Sequence, residues 1–159
     1  SVENAALGRR VAETEWDLLD LIAGPDPGPD PAWSVTPAPA ETAHDVPSAA
    51  NLVAAVREYL ERDVMGATEG RVSFHARVAA NVLGMVEREL AIGPDAAAVV
   101  RARLADLLGH DAPVADLIDE LATGIRDGAP FDEATVRAVR ETVRIKLAVS
   151  NPDYATPTD

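Results

Sequence analysis

From residue 48 onward, apolar side chains return every three or four positions in five successive blocks, each closed by a helix-stopping residue. That spacing restricts the chain to an all-α fold. Helix A, about 48–64, carries Leu52, Val56, Leu60 and Val64 on one face behind Ser48, whose hydroxyl suits a helix N-cap. Helix B spans about 71–91. Helix C, about 95–108, follows Gly93-Pro94, carries Val99, Val100, Leu104, Leu107 and Leu108, and stops at Gly109. Helix D, about 112–126, starts after Asp111 with Pro113 in its first turn, carries Val114, Leu117, Ile118, Leu121 and Ile125, and ends before Gly128. Helix E, about 133–149, is capped by Asp132, carries Val136, Val139, Val143 and Leu147, and breaks at Asn151-Pro152. Helix E is rich in β-branched residues, but a 3.6-residue period kept over about 17 positions is long for a strand. The expected architecture is a five-helix bundle over 48–151.

A separate N-terminal helix and a proline-rich linker precede that bundle. Residues 3–23 place Leu7, Val11, Leu18 and Ile22 on one stripe, and Gly24-Pro25 ends the helix. One helix cannot bury its own stripe, so it must dock on the rest of the chain, on another copy or on a further domain. The chain begins at Ser1 without Met, as expected of a processed product or a piece of a longer protein. Residues 24–47 hold seven of the chain's 12 prolines and show no period, which predicts a semi-extended linker between two units. Trp33 is its lone large aromatic, either a docking point on a neighbouring surface or an exposed linker side chain. A loose tail is expected over 152–159.

Composition narrows the partners. The net charge is −13, from 14 basic and 27 acidic residues, and only six aromatic residues are present. A phosphate backbone is repelled by such a chain, so no nucleic acid is expected. Residues 1–47 carry net −7, which leaves the 112 residues after them only modestly acidic. There is no cysteine and no apolar run of about 18 residues, so no disulfide and no membrane span are expected, and a cytoplasmic location is the default.

Helix B has an unusual wheel. Phe74, Val78, Val82, Met85, Val86 and Leu90 form an apolar arc, yet Arg71, His75 and Glu89 point into the same half, with Asn81 at its edge. His75 is therefore expected to be largely buried and to need a partner. One reading is a ligand site, in which Arg71 and His75 bind an anion with Asn81 and with Arg144 of helix E. The other is structural, with His75 bonded to a neighbouring helix or to Glu89 of another copy. Arg140, Arg144 and Asn151 share a flank of helix E that either completes that pocket or is a solvated edge of surface ion pairs. Asp116, Asp119 and Glu120 lack the Glu-x-x-His pairs of di-metal bundles, so no metal and no cofactor are expected. No catalytic residue is assigned either: Ser48 and Ser73 have no base at helical spacing, and Asp63 and Glu69 are ordinary turn acids.

Two segments carry a resemblance. Leu7-Gly8-Arg9-Arg10-Val11-Ala12-Glu13 with Glu15-Trp16-Asp17-Leu18-Leu19-Asp20-Leu21 resembles the final helix of the aminoglycoside-phosphotransferase-like small-molecule kinases. Residues 45–155 resemble an uncharacterised bacterial helical domain of unknown function found fused to, or encoded beside, those kinases and acyl-CoA dehydrogenases. The runs that carry this are Pro47 to Leu60, Gly70-Arg71 with Phe74 to Asn81, Glu87 to Leu90, and Lys146 to Val149 with Asn151-Pro152. The kinase chemistry itself is not here. The only lysine is Lys146 on helix E, and His44-Asp45 and His110-Asp111 lack the spacing and downstream Asn of a catalytic loop.

The expected function is thus a non-catalytic accessory or regulatory domain attached to, or docking on, such a kinase, in the context of acyl-CoA metabolism. An alternative is a ligand-binding or enzymatic domain holding a phosphorylated or CoA-linked anion at Arg71, His75 and Arg144. A third is a self-associating module, a homo-oligomer formed through an exposed apolar stripe.

Overall fold

The computed structural model describes residues 2–37 and 46–155, and over them the chain is all-α, with no strand. Its helices are α1 (Val2–Ala23), α2 (Ala49–Tyr59), α3 (Met65–Ala67), α4 (Gly70–Leu108), α5 (Val114–Arg126) and α6 (Glu133–Ser150). A π-helical turn, Leu60–Val64, joins α2 to α3. Residues 38–45 of the expected linker, His44-Asp45 among them, and residues 156–159 of the expected tail lie outside the described residues.

The spine is α4. It runs 39 residues without a break, about 58 Å at 1.5 Å per residue. The expected boundary between helices B and C at Gly93-Pro94 is therefore corrected: Pro94 lies inside one helix. A proline clashes with the Cβ of the residue before it, and Gly93 has none. Beyond Pro94 the helix continues despite the missing hydrogen bond, with Ala96, Val100 and Leu104 buried on its next turns. Gly109 ends it in the left-handed region (φ 81°), its N–H bonding to the Ala105 carbonyl at 2.8 Å.

Two faces of α4 serve two different neighbours. Over its N-terminal half the small residues Ala76, Ala80 and Gly84 recur every fourth position and let α2 approach closely in an antiparallel hairpin. Over its C-terminal half Val100 and Leu104 pack with Leu117 of α5, Ala138 of α6 and Trp33. Leu104 and Leu117 are fully buried, each contributing about 2–3 kcal/mol of transfer free energy. Ser48 caps α2 through Asn51 N–H (3.2 Å), and Asp132 caps α6 through Thr135 N–H (2.9 Å), both as expected from their positions.

The N-terminal helix is not separate. It lies against α6, where Ala12, Trp16 and Leu19 form a second core cluster with Val143 and Leu147. This corrects the expected stripe: Leu7, Val11, Leu18 and Ile22 are about half exposed or more, and the buried face lies about 120° round the helix from it. Trp16 decides the orientation, because an indole buries more apolar area than any leucine on the rival stripe.

The first half of the linker is a strap. Asp30 caps a short 3-10 turn, Pro31–Trp33, which sets Trp33 into the core at 7% exposure against Val100 and Leu104. Trp33 is thus a docking point, and residues 24–37 join the N-terminal helix to the bundle rather than separating them. The start of the tail is also anchored, with the Tyr154 hydroxyl 3.0 Å from the Asp17 carboxylate. That bond raises the tyrosine's pKa by favouring its protonated form.

Candidate functional site

The densest polar network lies where α1, the strap and α6 meet. Trp16 is covered by the guanidinium of Arg140, 5.4 Å from its ring centre, and by that of Arg144 at 4.9 Å. Arg140, only 3% exposed, donates to Asp20 (2.5 Å) and to the carbonyls of Leu19 (3.3 Å) and Gly24 (2.8 Å). Arg144 donates to Asp26 of the strap (2.6 Å) and to the buried Glu141 (3.1 Å), which in turn accepts from the Asp30 backbone N–H (3.2 Å). The expected solvated edge of helix E is thus corrected: Arg140 is buried and Arg144 half-buried, with α1 and the strap bonded to them. Arg140 Nη1 and Nη2 and Arg144 Nε and Nη2 all bond to the chain itself, so the cluster works as a latch that ties α1 and the strap to α6.

A polar cavity of about 330 Å³ opens beside the hairpin, between the N-terminal part of α1, α2, α4 and the end of α6. Arg9, Arg57, Arg88, Asn81, Glu87 and Asn151 line it. Arg57 bridges Glu87 (3.0 Å) and Glu61 (3.2 Å), and these two carboxylates raise its pKa, Glu87 most. Arg88 donates to the Val149 carbonyl at 2.6 Å. Glu13 accepts from Arg9 and Asn151, both at 2.7 Å, and its pKa is lowered chiefly by the Arg9 bond. The second oxygen of Glu87 is buried with no hydrogen-bond partner among the described residues.

An apolar groove of about 360 Å³ runs between α1, α5 and α6. Leu18, Ile22, Leu121, Ile125 and Phe131 form its walls, and the Lys146–Glu15 pair (2.9 Å) sits at its rim. Its floor reaches Leu104 and Val143 of the two cores.

The four ligand candidates do not converge. Arg71 and His75 are exposed near the start of α4, where Arg71 Nε lies 3.2 Å from His75 Nε2 and Phe74 meets His75 edge-on at 5.6 Å. His75 was expected to be buried; it is exposed because α2 packs on the small-residue face of α4 and not on the large apolar arc. Asn81 lines the polar cavity and Arg144 belongs to the latch. His75 is 13 residues, about 20 Å along the helix, from Arg88, the α4 residue that bonds to the C-terminal end of α6. The anion site of Arg71, His75 and Arg144 is therefore not assembled.

Elsewhere some of the charged side chains are paired. Asp111 binds Arg101 through two bonds of 2.7 and 2.8 Å, which lower its pKa and raise that of Arg101. Asp116 and Asp119 are exposed on α5 with Glu120, which pairs with His110 instead, and among the described residues no group of three or more His and carboxylate side chains is placed to hold a metal. The Glu120 carboxylate, 2.8 Å from His110 Nε2, raises the imidazole's pKa above its ordinary 6.5. Because the folded value is the higher one, the pair contributes in full below pH 6.5, and that contribution is lost as pH rises through the folded value. An NMR titration should place His110 above 6.5, and Glu120→Gln should return it there; an unshifted wild-type histidine would contradict the pairing.

The residues that organise this region, Trp16, Arg140, Glu141 and Asp26, were not singled out together from the sequence. A signal exists: Trp16 and the i, i+4 pair Arg140/Arg144 are the aromatic and the forked cations whose stacking builds the latch.

A family model described as a domain of unknown function, DUF6285, matches residues 66–154. The matched span takes in all of α4, α5 and α6, and the arginines of the latch. No curated protein and no solved structure matches the chain.

Proposed function

The chain belongs to the DUF6285 family of domains of unknown function, and from that premise we propose that it is a non-catalytic helical accessory domain. Its partner is an aminoglycoside-phosphotransferase-like kinase, fused to it or separate, on which it docks and whose activity it regulates. One observation carries the reading: α1, the helix that resembles the kinase's last helix, has two apolar sides. Ala12, Trp16 and Leu19 are buried against α6, while Leu7, Val11, Leu18, Leu21 and Ile22 stay exposed on a neighbouring face about 130° round the helix, the two meeting at the groove lined by Leu18, Leu19 and Ile22. Such a helix suits a place between two bodies. Its inner side is held by this domain, and its outer side, continuous with the apolar groove of α5, is left for the kinase.

The test is co-purification of the domain with the kinase, or of the fusion containing both, comparing wild type with Leu18→Glu/Ile22→Glu. Both side chains are largely exposed, so the substitutions should leave the domain folded and weaken association at least tenfold. No association of the wild type, together with kinase activity unchanged by deletion of residues 45–159, would sink the proposal. A link to acyl-CoA metabolism is part of the same proposal and rests on the family context alone.

A further inference from the structure

The helical hairpin of α2 and the first half of α4 buries no large apolar side chain. Its internal seam is made by Ala76, Ala80 and Gly84 on one helix, and α2 contributes no buried residue. Val53, Leu60 and Leu83 are half-buried, and other large apolar side chains stand exposed beside the seam. Leu52, Val56 and Tyr59 form an i, i+4, i+7 stripe on α2 and are 49–58% exposed. On α4, Val72 (56% exposed) and Val86 (39%) fall within about 40° of each other at 100° per residue. The polar cavity marks one face of the hairpin, through Arg57 and Glu61 of α2 and Asn81 and Arg88 of α4. The two apolar stripes therefore share the other face, which no described part of the chain covers.

We infer that this face docks on the same face of a second copy, hairpin on hairpin, closing a four-helix bundle between two chains. Charge selects the occupant. The chain carries −13, so most of its surface repels a second copy, but residues 48–88 hold five arginines and five carboxylates and are neutral. This apolar, neutral face can meet itself without that penalty. Area agrees: the arm formed by α2, the π-helical turn and α3 (residues 49–67) and the facing part of α4 (residues 70–88) are each about 28 Å long and about 10 Å apart, a footprint of about 560 Å² per copy. Two such faces bury close to the roughly 1,200 Å² at which stable interfaces begin.

Sedimentation equilibrium on the whole chain tests this. The wild type should approach twice 16.7 kDa at micromolar concentration, and Val56→Glu should return it to the monomer mass with the helical circular-dichroism spectrum unchanged. Tyr59→Lys, farther along the stripe, should dissociate it too, raising Kd at least 100-fold. Leu18→Glu on α1 should leave the dimer intact, which separates this surface from the one proposed for the kinase. A wild type that stays monomeric up to about 200 µM, or a dimer broken by Leu18→Glu and not by Val56→Glu, overturns the inference.

Discussion

Replacing Trp16 by alanine should cost about 3–5 kcal/mol, the largest loss expected from any single side chain in this fold. The indole is 5% exposed, fills the middle of the α1–α6 cluster and is the surface on which Arg140 and Arg144 rest. Its removal leaves a cavity and takes away both cation–π contacts, each worth about 1 kcal/mol when partly desolvated. The cooperative unit that fails first is α1 with the strap, since nothing else on α1's buried side approaches Trp16 in area. A fall in the urea midpoint, accompanied by new proteolysis between residues 24 and 37, is the expected outcome. Unfolding of the whole chain in one step, with the strap still protected until then, would show instead that α1 and the α4–α5 core are a single unit.

Arg140→Met should follow at about 2–4 kcal/mol. Methionine keeps much of the stem's volume, so the loss reports the guanidinium: the carbonyls of Leu19 and Gly24 lose their donor inside the latch. Asp20 is 42% exposed and can turn to water, which makes Asp20→Asn the milder change of the two. Arg140→Lys should recover less than half of the loss, because one ammonium cannot reproduce a fork aimed at three acceptors. Equilibrium unfolding of the three variants orders them, and an Asp20→Asn loss equal to that of Arg140→Met would locate the energy in the ion pair instead.

Much of the fold is legible in the sequence because helices announce their period and their caps. Ser48, Asp132 and Gly109 act where their side chains or lack of one predicts. The Gly93-Pro94 step misleads because a proline after glycine reads as punctuation, while the helix runs on through it and buries Ala96, Val100 and Leu104. The N-terminal stripe misleads for a related reason. Periodicity counts apolar positions equally, and Leu7, Val11, Leu18 and Ile22 outnumber the winning side, but one tryptophan with two arginines to cover it outweighs four aliphatic residues. Of the candidate site, Asn81 lies on a cavity and Arg144 in a network, whereas Arg71 and His75 are out on the hairpin. Their separation depends on which face of α4 each neighbour takes, and a helical wheel carries no such information.

The unbroken course of α4 also ties the two ends of the molecule together: the hairpin is built on its first half, and Leu104 near its end reaches the floor of the α1 groove. The two are joined along one helix rather than across a loop. In a pair of chains joined through their hairpins, one such helix in each chain would connect the two grooves, so that whatever one chain carries is tethered to whatever the other carries.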